Sequence, residues 1–260
     1  MDKKELKKKI AEARQYREFA QYTEAIALLH QITTEYPEAK YYYLLAATYY
    51  ESRETEPALL YSDEALKINN AYKEVYWLKA KIYENEKKYK QAEQMYLKAL
   101  EIDIDYFEAR IGLVDLYWKK EKDYEKTIQQ CEFVFSRYDS FSFNKEEMKE
   151  KFKWLGALYI DSKESYIHFK KYDDAIRLIN RYKEVMNFID DGDEYTLVSE
   201  DRHLYKLYYI IGNKVKLEEQ KKLLQKHYKF SDTKIKGLEK DAEQGYILKT
   251  NWDNYDKDDF

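Results

Sequence analysis

A repeated spacing of alanine and tyrosine limits the folds open to this 260-residue chain more than any other feature. An alanine recurs after 33 and then 34 residues, and each occurrence has a tyrosine nine residues earlier and another alanine twelve residues earlier. The three columns are Ala25, Ala58 and Ala92, then Tyr16, Tyr49 and Tyr83, then Ala13, Ala46 and Ala80. Self-similarity at this period predicts a repeat architecture, in which neighbouring units stack to bury a continuous core.

The spacings inside one repeat predict a pair of antiparallel helices. Ala46 and Tyr49, three residues apart, lie on the same face of a first helix. Ala25 and Ile32, seven residues apart, share a face of a second helix. Small residues on these faces let the two backbones approach closely, so each repeat is expected to be a helical hairpin.

The pattern resembles the tetratricopeptide repeat family. The resemblance is carried by "YWLKAKIYENEKKYKQAEQMYLKALEID" at 76–103, "YYLLAATYYESRETEPALLYSDEALKIN" at 42–69 and "ARQYREFAQYTEAIALLHQITTEYPE" at 13–38. The first repeat ends on Pro37, where the family favours proline. The family's usual tryptophan and glycine in the first helix are tyrosine and alanine here, which preserves the size classes.

This resemblance implies an all-α fold: a right-handed α-solenoid of antiparallel helical hairpins, with about six repeat units and a C-terminal capping helix. The predicted divisions are four regular units, two degenerate and longer hairpins continuous with the solenoid, the capping helix and an acidic tail. They lie at 1–140, 141–230, 231–248 and 249–260, respectively.

The repeat becomes irregular in its later units. Tyr117 stands ten residues before Thr127, where the earlier repeats have nine, and the extra residue predicts a longer turn between the two helices. Asn144 followed by Glu147 has the pattern of a helix start. We therefore predict one long helix from Asn144 to Phe169, overhanging a partner helix at about 172–189.

Composition and charge argue against several classes of protein. The chain has 46 Lys and Arg against 50 Asp and Glu, a formal charge of −4, whereas nucleic-acid-binding proteins normally show a basic face. Cys131 is the single cysteine, so an intramolecular disulfide is excluded and a reducing compartment is indicated. No apolar run is long enough for a membrane span or a signal peptide. We expect a cytoplasmic protein of a bacterium-like cell.

No sequence pattern indicates catalysis or a metal site. The four histidines form no pair at metal-binding spacing. The acidic segment around Gly192 would need Ile189 and Val198 as calcium ligands, so we interpret it as a turn. Cys131 lies in an apolar helical segment and is interpreted as a packing residue. We expect no enzymatic activity and no cofactor; an enzyme site in the irregular segment 141–230 would require a polar pocket with perturbed carboxylates.

The resemblance implies that a partner binds in a concave groove lined by the first helix of each hairpin. Residues facing this groove lie off the core face of the helix, one position after the small and tyrosine columns or three before the small column. The predicted partner-binding residues are Arg14, Arg17, Tyr43, Tyr50, Trp77, Lys81, Ile111, Asp115 and Trp118. The lysine and asparagine clamp with which some family members bind a C-terminal carboxylate is not recognisable at these positions.

The leading interpretation is an adaptor that binds a segment of a partner protein, with a role in complex assembly, chaperoning or toxin neutralisation. Aromatic residues are enriched at binding hot spots, and this favours a hydrophobic segment or a helix as the partner. The alternative is a nucleic-acid regulator that uses Arg14, Arg17 and the N-terminal lysines against phosphates. A further hypothesis is that Trp252, Tyr255 and Phe260 of the tail occupy a groove, in this molecule or in a neighbour.

Overall fold

A computed structural model describes residues 2–139, 144–189 and 194–249. These residues form thirteen α-helices and one π-helical segment, with no β-strand among them. None of the described helices is both long enough and apolar enough to cross a membrane. The helices in chain order, α1 to α13 with the π-helical segment after α7, are Lys3–Glu18, Tyr22–Glu35, Ala39–Glu51, Thr55–Ile68, Lys73–Asn85, Tyr89–Ile102, Phe107–Asp115, Leu116–Glu121, Tyr124–Asp139, Lys145–His168, Tyr172–Ile189, Glu194–Ile211, Lys214–Lys226 and Asp232–Glu243.

The helices confirm the predicted all-α fold of hairpins, and they group into two compact units. Unit 1 is Met1–Glu121 and unit 2 is Lys122–Phe260, so the boundary falls inside the predicted fourth repeat. In unit 1 the hairpins α1–α2, α3–α4 and α5–α6 stack in chain order and are followed by α7. In unit 2 the hairpins α9–α10 and α11–α12 lie between α8 and α13.

The small-residue columns form the contact between helices, as predicted. Six alanines of the first three repeats have no solvent exposure, which places their backbones in close contact with a neighbouring helix. They are Ala13, Ala25, Ala46, Ala58, Ala80 and Ala92. The tyrosines of the same repeats are half-buried beside them.

Each hairpin turns at a residue with left-handed backbone conformation, which we call the turn residue. At Lys87, with φ 60°, the amide donates to the carbonyl of Glu84 at 3.0 Å, and the next amide, of Lys88, donates to the carbonyl of Tyr83 at 2.8 Å. Positive φ is strained for residues other than glycine. The turn residues of the hairpins are Ala20, Arg53 and Lys87 in unit 1, and Lys170 and Gly212 in unit 2. Lys122, after the π-helical segment, and Gly245, after α13, have the same conformation and are also called turn residues.

Replacing a strained turn residue with glycine is expected to stabilise unit 1. Lys87→Gly should raise the free energy of unfolding by about 0.5–1 kcal/mol, because glycine adopts positive φ at no steric cost. Urea unfolding followed by circular dichroism measures this. Gln94→Gly, at an exposed position inside α6, is the control and should lower stability by about 1 kcal/mol. A Lys87→Gly variant no more stable than the parent would contradict the assignment.

The extra residue of the fourth repeat lies in a helix, so the predicted longer turn was wrong. The turn residue Lys122 precedes the first residue of α8, Tyr124, by two positions, the spacing that separates Lys87 from Tyr89. The insertion is absorbed by the π-helical segment Leu116–Glu121, since a π-turn holds one more residue than an α-turn. Its first two side chains stay buried, so the apolar face is preserved.

The long helix predicted for unit 2 is confirmed as α9. Asn144 caps it: its side chain accepts from the amide of Glu147 at 3.0 Å, and the Glu147 carboxylate accepts from the amide of Asn144 at 3.1 Å. With 24 residues, α9 is longer than α10, which has 18. The predicted capping helix corresponds to α13, which ends at Glu243, ahead of Gly245. Apart from Lys249, the predicted acidic tail lies outside the described residues.

Candidate partner-binding face

The predicted binding residues line one surface of unit 1, which we call the first-helix face of unit 1. In α1, α3 and α5 they lie three, six and ten residues before the turn residue, and in α7 and the π-helical segment these offsets are one residue larger. Of the nine residues, Arg14 is exposed and the other eight are partly exposed. In each hairpin of unit 1, the residue six positions before the turn residue directly follows an alanine of the small-residue column. That alanine is fully buried, as Ala46 and Ala80 illustrate.

Hydrogen bonds between neighbouring repeats order this face. The guanidinium of Arg17 on α1 donates to both carboxylate oxygens of Glu51 on α3, with the Nε contact at 3.0 Å. The Asn85 amide on α5 donates to the Tyr50 hydroxyl on α3 at 3.0 Å. Both links join residues 34 or 35 positions apart, so they repeat with the period of the chain. Glu51 and Asn85 belong to this face, and the sequence prediction missed both. Their separation of one repeat period is the signal that could have revealed them.

Charged residues on the face are mostly paired within the unit. Lys81 bonds Glu84 at 3.0 Å, and Asp115 bonds Lys119 at 2.5 Å. Arg14 makes no hydrogen bond or ion pair within the described part of the chain. It borders an open cleft of about 410 Å³, together with Arg17 and Glu51.

The aromatic residues of the face combine packing with exposure. Tyr43 lies against Tyr72, with ring centroids 5.3 Å apart, and burial raises the pKa of Tyr43. Trp77 packs against the apolar clusters on both sides of α5 while remaining partly exposed. The rings are therefore held in place by neighbouring repeats and still present an edge to solvent.

Tyr96 reaches the same face from a second helix and was missed by the sequence prediction. Its hydroxyl, on α6, donates to Glu84 at 2.7 Å, and burial, with the negative charge of Glu84, raises its pKa. The ring passes over Gly112 on α7, where a Cβ would lie only 2.3 Å from Tyr96 Cζ. The available signal was Gly112 itself, which occupies a column held by Leu44 and Leu78 in the preceding repeats.

The buried polar cluster around Glu200 in unit 2 does not adjoin a cavity large enough for a substrate. Burial opposes ionisation of Glu200, but a hydrogen bond with His203 and the charge of Lys163 outweigh it and lower the pKa of Glu200 to about 2. The cavity beside this cluster has a volume of only about 10 Å³, room for one water molecule. Burial raises the pKa of the Cys131 thiol to about 12, which disfavours the reactive thiolate.

The remaining candidates for metal binding are equally unsupported within the described residues. No group of three histidine, cysteine or acidic side chains is placed to hold a metal ion there. His30 instead bonds the Tyr49 hydroxyl at 2.8 Å, inside a packed aromatic cluster. Residues 190–193 of the acidic segment around Gly192 lie outside the described residues.

Comparison with known proteins identifies the fold by structure alone. No protein-family model and no curated protein sequence matches the chain. A structure of pilF from Pseudomonas aeruginosa superposes with a TM-score of 0.51 at 14% identity, over 87% of this chain and 93% of that one. YrrB, described as a TPR protein with an unusual peptide-binding site, gives 0.53 at 16%, over 84% and 95%. TPR-like repeats of a kinesin light chain from Podosopora anserina give 0.54 at 14%, over 70% and 95%. The chain has the fold of the tetratricopeptide repeat proteins.

Proposed function

We propose that the chain is a non-enzymatic adaptor that binds a segment of a partner protein on the first-helix face of unit 1. The observation that carries the proposal is a row of partly exposed aromatic rings: Tyr43, Tyr50, Trp77 and Trp118. The first three are fixed by contacts between repeats. Rigid aromatic side chains lose little conformational entropy on binding and dominate hot spots. YrrB is itself described as having a peptide-binding site.

A protein partner fits the electrostatics of this face better than a nucleic acid. The alternative function depended on Arg14, Arg17 and the N-terminal lysines. Of these, Arg17 is neutralised by Glu51, and Glu84 and Asp115 place further negative charge on the same face. Nucleic-acid affinity depends on unpaired basic groups that displace counterions from phosphates. The paired charges instead favour a partner segment that is largely apolar. The setting that we propose for this binding is a larger assembly in the cytoplasm.

Truncating the aromatic side chains should abolish partner binding while the fold is retained. Tyr50→Ala and Trp77→Ala are each expected to cost about 2 kcal/mol, or roughly thirtyfold in affinity. Affinity purification from the native host with the parent chain and the double variant would identify the partner, and titration with the purified partner would give the affinities. Circular dichroism would verify the fold of each variant.

A matched control and a salt series complete the test. Leu60→Ala removes an exposed apolar side chain from α4, outside the face, and should leave affinity unchanged. Affinity should vary little between about 50 and 200 mM salt, whereas a nucleic-acid regulator would lose a factor of about a thousand or more. Identical partners for the parent chain and the double variant would refute the proposed face.

A further inference from the structure

Counting from the turn residues identifies a surface of unit 2 that is equivalent to the first-helix face of unit 1. Lys170 follows α9 and Gly212 follows α11, each with left-handed backbone. The residue four before the turn is tyrosine in both, as it is in all three hairpins of unit 1, which verifies the register. The residues three, six and ten before the turn define the first-helix face of unit 2: Ile167, Glu164 and Ile160 on α9, and Tyr209, Lys206 and Arg202 on α11.

The chain after α13 returns to this surface. The helix ends on the left-handed Gly245, and the Tyr246 amide donates to the Asp241 carbonyl at 2.7 Å, repeating the bond seen at the hairpin turns. Within the described residues no second helix follows, and 246–249 continue as irregular chain. The Lys206 ammonium donates to the backbone carbonyls of Tyr246 and Lys249, at 2.8 and 2.7 Å.

These contacts satisfy Lys206 completely. Its third donor bonds the Asp241 carboxylate at 2.8 Å, so all three ammonium protons have acceptors. The side chain is only 1% exposed, although the equivalent Arg14 is exposed and the equivalent Lys81 is partly exposed in unit 1. The position that is open in unit 1 is therefore covered in unit 2 by the chain's own backbone.

The same segment also reaches α9. Residues 245–249 and the end of α9, including Glu164, Ile167 and His168, line a common cleft of about 380 Å³. Ile247 is 5% exposed, so an aliphatic side chain is buried at the centre of the segment. Residues 245–249 thus bond to α11 and share a cleft with the end of α9, the neighbouring first helix.

We propose that residues 245–249 are an intramolecular ligand that occupies a second peptide-binding surface, the first-helix face of unit 2. The surface takes an irregular or extended segment, holding its backbone carbonyls on Lys206 and one aliphatic side chain in the position of Ile247. This site is separate from the one proposed on unit 1 and does not depend on it. A partner segment of the same chemistry competes with residues 245–249, whose tethering gives them a millimolar effective concentration.

The test uses the synthetic peptide Gly-Tyr-Ile-Leu-Lys and a chain truncated after Gln244. The truncated chain should bind the peptide, while the complete chain should bind it about tenfold or more weakly because its own segment competes. Replacing isoleucine with serine in the peptide should abolish binding to the truncated chain. A folded truncated chain that does not bind the parent peptide would overturn the proposal, as would equal binding to both chains.

A second variant keeps the proposal testable if truncation prevents folding. Ile247→Ser in the complete chain removes the buried side chain but retains the bond between Lys206 and Asp241, so added peptide should bind this variant more tightly than the parent. Tyr246→Ser, at a side chain that is 41% exposed, is the matched control and should have no such effect. Equal peptide affinity for the parent and Ile247→Ser overturns the assignment. Loss of peptide binding in the Tyr50→Ala, Trp77→Ala double variant of the truncated chain would place the peptide on unit 1 and likewise overturn it.

Discussion

Gly112→Ala is expected to lower the free energy of unfolding of unit 1 by about 3 kcal/mol. In an ordinary helix position the same substitution would stabilise by about 1 kcal/mol, so the expected sign is reversed. The reason is steric: the added Cβ would lie 2.3 Å from Tyr96 Cζ, and the Tyr96 ring is fully buried and tied to Glu84 through its hydroxyl. Urea unfolding followed by circular dichroism gives the change directly.

The preceding repeat supplies a rescue for this substitution. There the position equivalent to Tyr96 is Ser62 and the position equivalent to Gly112 is Leu78. The larger of the two side chains is therefore on the helix that carries glycine in the later repeat. Tyr96→Ser alone should cost about 3 kcal/mol or more through the cavity it leaves. Combining it with Gly112→Leu should recover about 2 kcal/mol or more of the summed losses. Additive losses in the double variant would show that the two positions do not share one volume.

Lys206→Ala is expected to destabilise unit 2 by about 3–5 kcal/mol. Asp241 has no solvent exposure, so removing the ammonium leaves a carboxylate buried without its cation. The backbone carbonyls of Tyr246 and Lys249 lose the same donor. Thermal unfolding of the variant, compared with the parent at equal concentration, measures the effect.

Two comparisons separate this effect from the loss of any ion pair. Lys67→Ala removes the partner of Glu64 at a position that is 69% exposed, and should leave the stability nearly unchanged because solvent screens the pair. The double change Lys206→Met, Asp241→Leu replaces both charges with apolar groups and should recover most of the stability. A Lys206→Ala variant as stable as the Lys67→Ala control would contradict the buried pair.

Much of the packing could be predicted from particular residues. The column that contains Ala46 and Ala80 holds a small residue in successive repeats because two helices touch there, and both alanines are completely buried in the structure. The Asn144 and Glu147 pair predicted the start of α9, because a capping box is a local interaction between residues three apart. The exposure of the candidate binding residues followed from their offset to the same columns, although their role in binding stays a prediction.

Other features could not be derived from local patterns. The ten-residue spacing from Tyr117 to Thr127 revealed an insertion but not its place, since a turn and a π-helical segment absorb one residue equally well in sequence. The large side chain of Tyr96 fills the space left by Gly112, which lies 16 positions later in a different repeat. The sequence of neither helix alone reveals this packing. The left-handed turn residues Arg53 and Lys87 could not be predicted, because glycine, the usual sign of such a conformation, is absent at both positions.

The repeating unit, a helical hairpin with alanine and tyrosine at its contacts, follows from the sequence because those contacts recur at the period of the chain. Which of the equivalent surfaces stay open depends on how the folded chain packs. Lys81 and Lys206 stand at the same distance from their turns, yet one is partly exposed and the other is covered. The difference arises because residues 245–249 come back to α11 from about 40 positions further along the chain, a contact between distant residues that periodicity cannot encode.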